Sequence, residues 1–415
     1  MTTGSPPSPR GGDLIGYLQA YAHPAGDPVA REQVAAGPAT VTKYTGEFWT
    51  ARQRQAGSIH EISYRACFKP QLPRFFIERL TRKGDIVYDP FSGRGTTVIE
   101  AGLLGRNVIA NDANPLSRIM TEPRFFPPGL AAVEKRLLAI PRDGEKAEID
   151  LSMFYHPDTE AEIVALREYL LDRKEASRED HTDRWLAMVA TNRLTGHSKG
   201  FFSVYTLPPN KAVSPQSQER INRKRRQAPE YRDTHALILA KTKSLTRTLT
   251  DDMQKNLLRA GKGARLLTGD AGETQAIPDA CVQLTVTSPP FLDIVQYSGD
   301  NWLRCWFNGL DSDATGRQIT MARTLDEWTA VMGRVFAELF RITRPGGHIA
   351  FEVGEVRKKT IRLEEHVIPL GLRAGFACEC VLINQQAFTK TSNIWGVDNN
   401  RCGTNTNRIV VFRKP

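Results

Sequence analysis

A chain of 415 residues with 56 Lys plus Arg against 46 Asp plus Glu carries a formal charge of +10 and a pI near 9.3, a balance that favours an acidic partner such as nucleic acid. With 40% hydrophobic and 25% charged residues, wholesale disorder, collagen and coiled coil are excluded. At about 150 residues per domain the length fits two or three units, or one large core with insertions. No apolar run reaches the ~18 residues of a membrane span. The opening Met1 to Arg10 has no apolar stretch of the signal-peptide kind, and a cytoplasmic location is expected.

Residues 1–12, rich in Pro, Gly and Ser, cannot bury enough apolar surface to order themselves, and residues 1–45 read as a flexible tail and lead-in. From Gly84, short β-branched runs alternate with helical stretches, the pattern of a parallel sheet wrapped by helices. Ile86 to Asp89 reads as a strand, Thr97 to Leu104 as a helix and Val108 to Asp112 as a second strand. Residues 46–120 are thus expected to form the first part of an α/β unit.

Residues 121–262 break that rhythm with helical, charge-rich sequence and read as an insertion. Its densest positive charge is Arg220, Arg223, Lys224, Arg225 and Arg226, followed by Lys241, Lys243 and Arg247. A solvated helix face and a phosphate-contacting surface both fit such a run. Residues 263–415 resume strand-like patterns at Arg265 to Leu267, at Val282 to Thr287, and at His348 to Val353, Phe376 to Leu382 and Asn407 to Phe412. Thr324 and Glu327 have the spacing of a capping box, and Trp328, Val331, Val335 and Leu339 place an apolar stripe on the helix that follows, which Pro345-Gly346-Gly347 terminates. The expected fold is α/β and Rossmann-like, with about seven mostly parallel strands, helices on both faces and a largely helical insertion.

The six cysteines (Cys67, Cys281, Cys305, Cys378, Cys380, Cys402) are scattered and offer neither a disulfide framework nor paired CxxC zinc spacing. Cys378 and Cys380, at i and i+2, are expected to pack on one face of a strand. The eight histidines are dispersed, so no metal site is expected.

Two motifs carry chemistry. In Asp89-Pro90-Phe91-Ser92-Gly93-Arg94-Gly95-Thr96-Thr97 a glycine-bearing turn joins strand to helix. Glycine allows close backbone approach, and the helix N-terminus offers N–H groups to a carboxylate or phosphate. Val98 stands where a dinucleotide fingerprint needs its third glycine, and no Gly-Lys-Ser/Thr follows, so neither of those readings holds. Asp112 and Asp270 end the next two strands, where open α/β sheets bind nucleotide-like ligands; a helix N-cap is the plainer role for either. The second motif is Thr287-Ser288-Pro289-Pro290-Phe291. Two prolines stiffen the backbone and remove two donors, leaving carbonyls and the Ser288 hydroxyl as acceptors beside an aromatic face. That suits a flipped base presenting an exocyclic amine, although a rigid loop with a buried Phe fits the same residues.

Together the two motifs resemble the AdoMet-dependent DNA amino-methyltransferases, and Thr-Ser-Pro-Pro-Phe is similar to the catalytic motif of the cytosine-N4 type. Cys67-Phe68-Lys69-Pro70-Gln71-Leu72-Pro73 resembles the segment that closes over the methionine end of the cofactor. The resemblance spans roughly residues 58–118 and 262–415, leaving the N-terminal 45 and the insertion unmatched. It implies S-adenosyl-L-methionine as cofactor. Asp89, Phe91, Gly93, Gly95 and Thr96 would surround its methionine part, with Pro90, Ser92 and Thr97 beside them. Phe68 and Pro70 would cover it, Asp112 and Asn114 would meet the ribose, and Asp270 and Ala271 would lie near the adenine. Ser288, Pro289, Pro290 and Phe291 would be catalytic. The resemblance implies double-stranded DNA as partner, contacted by Arg220, Arg223, Lys224, Arg225 and Arg226, and a cognate restriction endonuclease as a second.

Adenine-N6 relatives usually carry Asp or Asn in place of Ser288, so the serine argues for cytosine. Many cytosine-N4 enzymes set the catalytic motif ahead of the cofactor motif. Here the cofactor motif comes first, resembling the alpha-type order in which the gap holds target recognition. Carbon-5 chemistry, which needs a cysteine nucleophile typically after proline, is excluded because no Pro-Cys pair occurs. An adenine-N6 enzyme, an RNA exocyclic-amine methyltransferase and a non-catalytic DNA-binding protein are the rival readings.

Overall fold

The computed structural model describes residues 13–21, 29–36, 39–49, 56–64, 67–207, 212–290, 297–318, 322, 324–353, 355–356, 361–385 and 406–415; the expected tail, 1–12, lies outside them. The strands are β1 (Ala30–Ala36), β2 (Ala39–Gly46), β3 (Ile86–Asp89), β4 (Asn107–Asp112), β5 (Arg265–Thr268), β6 (Val282–Thr287), β7 (Thr343–Val353), β8 (Glu355–Val356), β9 (Ile361–Arg362), β10 (Ala377–Gln385) and β11 (Thr406–Arg413). All but the short β8–β9 ladder join one nine-stranded sheet, in the order β1-β2-β10-β11-β7-β6-β3-β4-β5. Five of its eight pairings are parallel. From β3 the chain winds outward through β4 and β5 on one side. It then returns to β6 and β7 on the other, so the order reverses between β3 and β6. This is the doubly wound, Rossmann-like arrangement expected from the sequence.

Alternation builds the core. Val87, Val108, Leu284, Ala350, Leu382 and Ile409 face one apolar cluster, and their neighbours Tyr88, Ile109, Ile349, Phe351, Ile383 and Val410 face the other, as the two-residue period of a strand requires. Helix α1 (Leu14–Ala20) precedes the sheet, and α2 (Gln71–Leu80), α3 (Thr96–Leu103) and α4 (Leu116–Thr121) accompany β3 and β4. Six helices follow before β5: α5 (Leu130–Leu138), α6 (Pro157–Glu175), α7 (His181–Arg193), α8 (Pro215–Arg225), α9 (Thr234–Thr246) and α10 (Asp251–Gly263). Then come α11 (Tyr297–Phe307), α12 (Ser312–Gln318), α13 (Leu325–Ile342) and α14 (Leu363–Arg373). α2 and α3 cover the first face, while α13 and α14 cover the second.

Two expectations need correction. Residues 30–46 are not lead-in: β2 pairs in parallel with β10, and β1 forms the sheet edge. Their polar alternation, with Arg31, Gln33, Thr40 and Thr42, hides the strands, but tertiary contacts hold them. Phe48 packs edge-on against Phe75, and the Asn384 carboxamide oxygen accepts from the Phe48 N–H at 2.8 Å. Next, Cys378 and Cys380 face opposite clusters, because the register shifts between them and a bulge flips the alternation. The inserted segment is helical and packs into the same core. Trp185, Leu186, Val189 and Ile238 share the first-face core with Phe76 and Val98. α10 belongs to the sheet layer, its Asn256 Nδ2 donating to the Leu103 carbonyl at 3.2 Å.

Candidate active site at the strand junction

The expected turn follows β3, and its geometry explains both glycines. Gly93 and Gly95 have φ of +52° and +72°, the left-handed region that disfavours a side chain. A Cβ on Gly95 would also lie 2.3 Å from Thr121 Oγ1. Gly95 is the N-cap of α3, and no side chain satisfies the first N–H groups of that helix. The free donor end of a helix therefore opens beside the turn.

Carboxylates set the electrostatics. Asp89 is buried and accepts from the Phe91 N–H at 3.2 Å and from Thr287 Oγ1 at 2.6 Å. Burial pushes its carboxyl up to about 7, with the hydrogen bonds from Thr287 and Phe91 opposing. Asp112 receives Gly93 N–H at 2.7 Å on one oxygen and Asn114 N–H at 2.8 Å on the other. Desolvation still raises it to about 6. Neither carboxylate is compensated by a hydrogen-bonded cation, so each is poised to take a cationic or hydroxyl-bearing ligand.

Around them, Asn111 Nδ2 donates to the Pro90 carbonyl at 3.4 Å. Phe91 is half-buried against the second-face core, and Ser92 Oγ is buried with no partner among the described residues. Thr96 Oγ1 accepts from Arg94 Nε at 3.1 Å, while Thr97 Oγ1 donates to the Val286 carbonyl at 3.0 Å. Phe68 packs half-buried on the first-face core and Pro70 is the N-cap of α2. Arg94 ties this covering segment to the turn, donating to the carbonyls of Ile62 at 2.6 Å and Phe68 at 3.4 Å.

β6 ends one strand away. Thr287 is fully buried, and its bond to Asp89 places Ser288, Pro289 and Pro290 directly beyond the glycine turn. Trp328 Nε1 donates to the Pro290 carbonyl at 2.9 Å. Phe291 lies outside the described residues. The sequence reading missed Glu352 on β7, which pairs beside β6. Desolvation pushes its carboxyl up to about 7, against hydrogen bonds from Asn407 and Ser288, the former at 2.5 Å. Its flanking strand residues are apolar, so nothing in the local sequence marks it.

Other expected residues are otherwise engaged. Asp270 accepts from Gly272 N–H at 2.7 Å and pairs with Arg334 at 3.0 Å, while Ala271 is buried in the second-face core. Asn114 accepts from the N–H of Leu116, the first residue of α4, at 3.0 Å and donates to Tyr64 Oη at 3.1 Å. On α8, Arg223 and Lys224 are exposed, Arg220 donates to Ser217 Oγ at 3.0 Å, and Arg225 stacks 3.7 Å over the Tyr205 ring. Arg226, at φ +50°, closes the helix. Two further cations are engaged within the chain: the half-buried Lys241 donates through Nζ to the Glu61 carbonyl at 2.5 Å, and the exposed Arg247 pairs with the Glu61 carboxylate at the surface.

Residues 27–117 match the model of a family described as DNA methylase. The match contains the glycine turn, Asp112 and Asn114, and it reaches back through β1 and β2, which the sequence resemblance had left out. Two curated relatives are a Type II methyltransferase, M.MjaII, of Methanocaldococcus jannaschii, 33% identical over 87 residues, and M.BsoBI of Geobacillus stearothermophilus, 44% identical over 71 residues. These alignments cover 21% and 17% of this chain, and the chain spans only 16% and 14% of the relatives' lengths. A TehB-like SAM-dependent methyltransferase from Corynebacterium glutamicum overlaps 83% of this chain and 87% of its own, at 10% identity and a TM-score of 0.29. Among the described residues no helix is long and apolar enough to cross a membrane, and no three His, Cys, Asp or Glu gather as a metal site.

Proposed function

We propose that the chain is a DNA amino-methyltransferase that uses S-adenosyl-L-methionine to methylate the exocyclic N4 of cytosine. The observation that carries this reading is the 2.6 Å hydrogen bond from Thr287 to Asp89. It joins the diproline corner to the glycine turn at the point where strand order reverses, so a methyl donor on one side and a base on the other would meet. The residues suit the cofactor. Asp89 is a desolvated carboxylate fit for an ammonium group, Asp112 for ribose hydroxyls, and the unpartnered Ser92 hydroxyl and the uncapped start of α3 supply donors. Gly93 and Gly95 leave room for close approach. When bound, the cofactor supplies an electrophilic methyl carbon.

The chain's own residues would do the rest. A cytosine amine is a weak nucleophile because its lone pair is delocalised into the ring. If the Ser288 hydroxyl and the Pro289 carbonyl accept its two hydrogens, the lone pair localises and charge growing on nitrogen is stabilised. Ser288 in turn donates to Glu352, which orients its oxygen lone pairs toward the amine. A carboxyl near 7 can also accept the proton that nitrogen sheds after transfer. Phe291 would stack on the base. Serine in place of Asp or Asn favours cytosine over adenine, and Arg223 and Lys224, exposed on α8, would contact phosphates of double-stranded DNA. A paired restriction endonuclease and a cytoplasmic setting accompany this reading.

The test is labelled-methyl transfer to duplex DNA and tRNA, followed by nucleoside mass spectrometry. N4-methylcytosine in DNA is expected. N6-methyladenine would transfer the reading to the adenine branch, transfer only to tRNA would end it, and DNA binding with no transfer would leave a binding protein.

A further inference from the structure

Beyond the motif residues lies Trp328, on a helix that the proposed chemistry does not use. We infer that Trp328 is a positioning residue of the catalytic corner, its indole N–H fixing the direction in which the diproline presents its acceptors. The inference rests on the functional reading above.

Two prolines in sequence cannot be held by their own backbone donors, because they have none. Their carbonyls are the only backbone handles. The ring of Pro290 locks its φ, so the remaining freedom between the Pro289 and Pro290 peptide planes is the rotation about ψ of Pro290. An N–H donor seated on the Pro290 carbonyl removes that freedom, and through the rigid ring it also sets the plane of the Pro289 carbonyl. Trp328 Nε1 sits there, at 2.9 Å. On the other side of the corner, Thr287 Oγ1 is bound to Asp89 at 2.6 Å. Ser288 and Pro289, the two acceptors, are bracketed between these anchors.

The indole itself is well fixed. Trp328 is 2% exposed and packs with Met332, Val335 and Phe336 in the second-face core. Its helix starts on a reciprocal capping box between Thr324 and Glu327, and the Trp328 N–H bonds to the Thr324 carbonyl at 3.0 Å. A buried indole donor must be satisfied. Here its partner is a carbonyl of the corner rather than one of the surrounding core, so the packed helix fixes the direction of the acceptors.

The test is Trp328→Phe, which keeps an aromatic ring in the core and deletes only the donor, assayed beside the wild-type protein. Single-turnover methyl transfer to duplex DNA should fall about 10- to 100-fold, the scale expected when a reacting group is displaced by an ångström or less. Dissociation constants for S-adenosyl-L-methionine and for DNA should stay within about twofold. Thr287→Val should lower the rate as well, and Thr287→Ser should restore it. A Trp328→Phe rate within twofold of wild type would overturn the inference. So would a loss of cofactor binding in step with the rate, since the indole would then merely support the fold. A wild-type protein that methylates no base counts against the function; an active wild type with an equally active Trp328→Phe counts against the clamp alone.

Discussion

The strand ends at the β3–β6 junction and the helices inserted between β4 and β5 share one apolar core, yet they treat buried charge in opposite ways. In the helices, carboxylates meet guanidinium groups. Asp183 is bound by Arg173 at 2.7 Å and also by Arg136, Glu162 by Arg142 at 3.1 Å, and Glu122 by Arg118 and Arg184 at 2.7 and 2.9 Å. Burial tends to raise Asp180, but the Arg136 hydrogen bond and backbone donors prevail and hold it at about 2. At the junction, Asp89, Asp112 and Glu352 have only neutral hydrogen-bond partners, and desolvation lifts each to between about 6 and 7. Charge satisfied internally holds a scaffold together. Charge left desolvated without a counter-ion is available to a ligand, at a cost in stability that the rest of the fold must cover.

The sharpest way to break this contrast is Gly95→Val. A side chain there meets both a left-handed φ and the buried Thr121. Destabilisation of about 1–3 kcal/mol and loss of S-adenosyl-L-methionine binding are expected by thermal unfolding and calorimetry. Unchanged cofactor binding would remove the turn from the site. Next comes Ser288→Ala, which should lower single-turnover methyl transfer by about 10²-fold or more while leaving cofactor affinity within about twofold. An equal loss of affinity would assign the serine to the cofactor instead.

On the helical side, reversing Arg223 and Lys224 to Glu should weaken DNA binding and flatten its dependence on salt, with the log–log slope reduced by about two if both meet phosphates. Arg142→Gln, which removes one internal partner of Glu162, should cost stability without touching that slope. If the two variants behave alike in the salt titration, α8 is scaffold too.

The smallest expected effect is with pH. Asp89 is raised in the folded state, so its contribution to stability is full below the ordinary carboxylate range and is lost as pH rises through about 7. A cationic ligand recovers what is lost. The rise in melting temperature on adding S-adenosyl-L-methionine should therefore grow from pH 6 to pH 8. A shift that is flat or larger at pH 6 would mean that Asp89 does not meet a positive group.

Local sequence was enough to read the strand–turn–helix of Asp89 to Thr97, the strand Val282 to Thr287, and the capping box at Thr324. In each the signal lies within a few neighbouring residues: β-branched runs, glycines where φ must be positive, and a threonine three residues before a glutamate. The two motifs were legible for the same reason, though nearly 200 positions separate Asp89 from Ser288. Their meeting was not legible, because the Thr287 to Asp89 bond exists only once β6 has paired beside β3. Nor could the sequence mark β1 and β2, whose polar faces read as loop until β10 offers an edge, or Glu352 and Trp328, which acquire their partners through strand pairing and helix packing. It also could not sort the basic run, in which Arg223 and Lys224 reach solvent while Lys241 is half-buried on the Glu61 carbonyl and Arg247 pairs with the Glu61 carboxylate at the surface. Residue types and short spacings settle which chemistry a segment is able to carry; which groups are stripped of water and left without a counter-charge depends on what folds against them, and only the assembled sheet decides that.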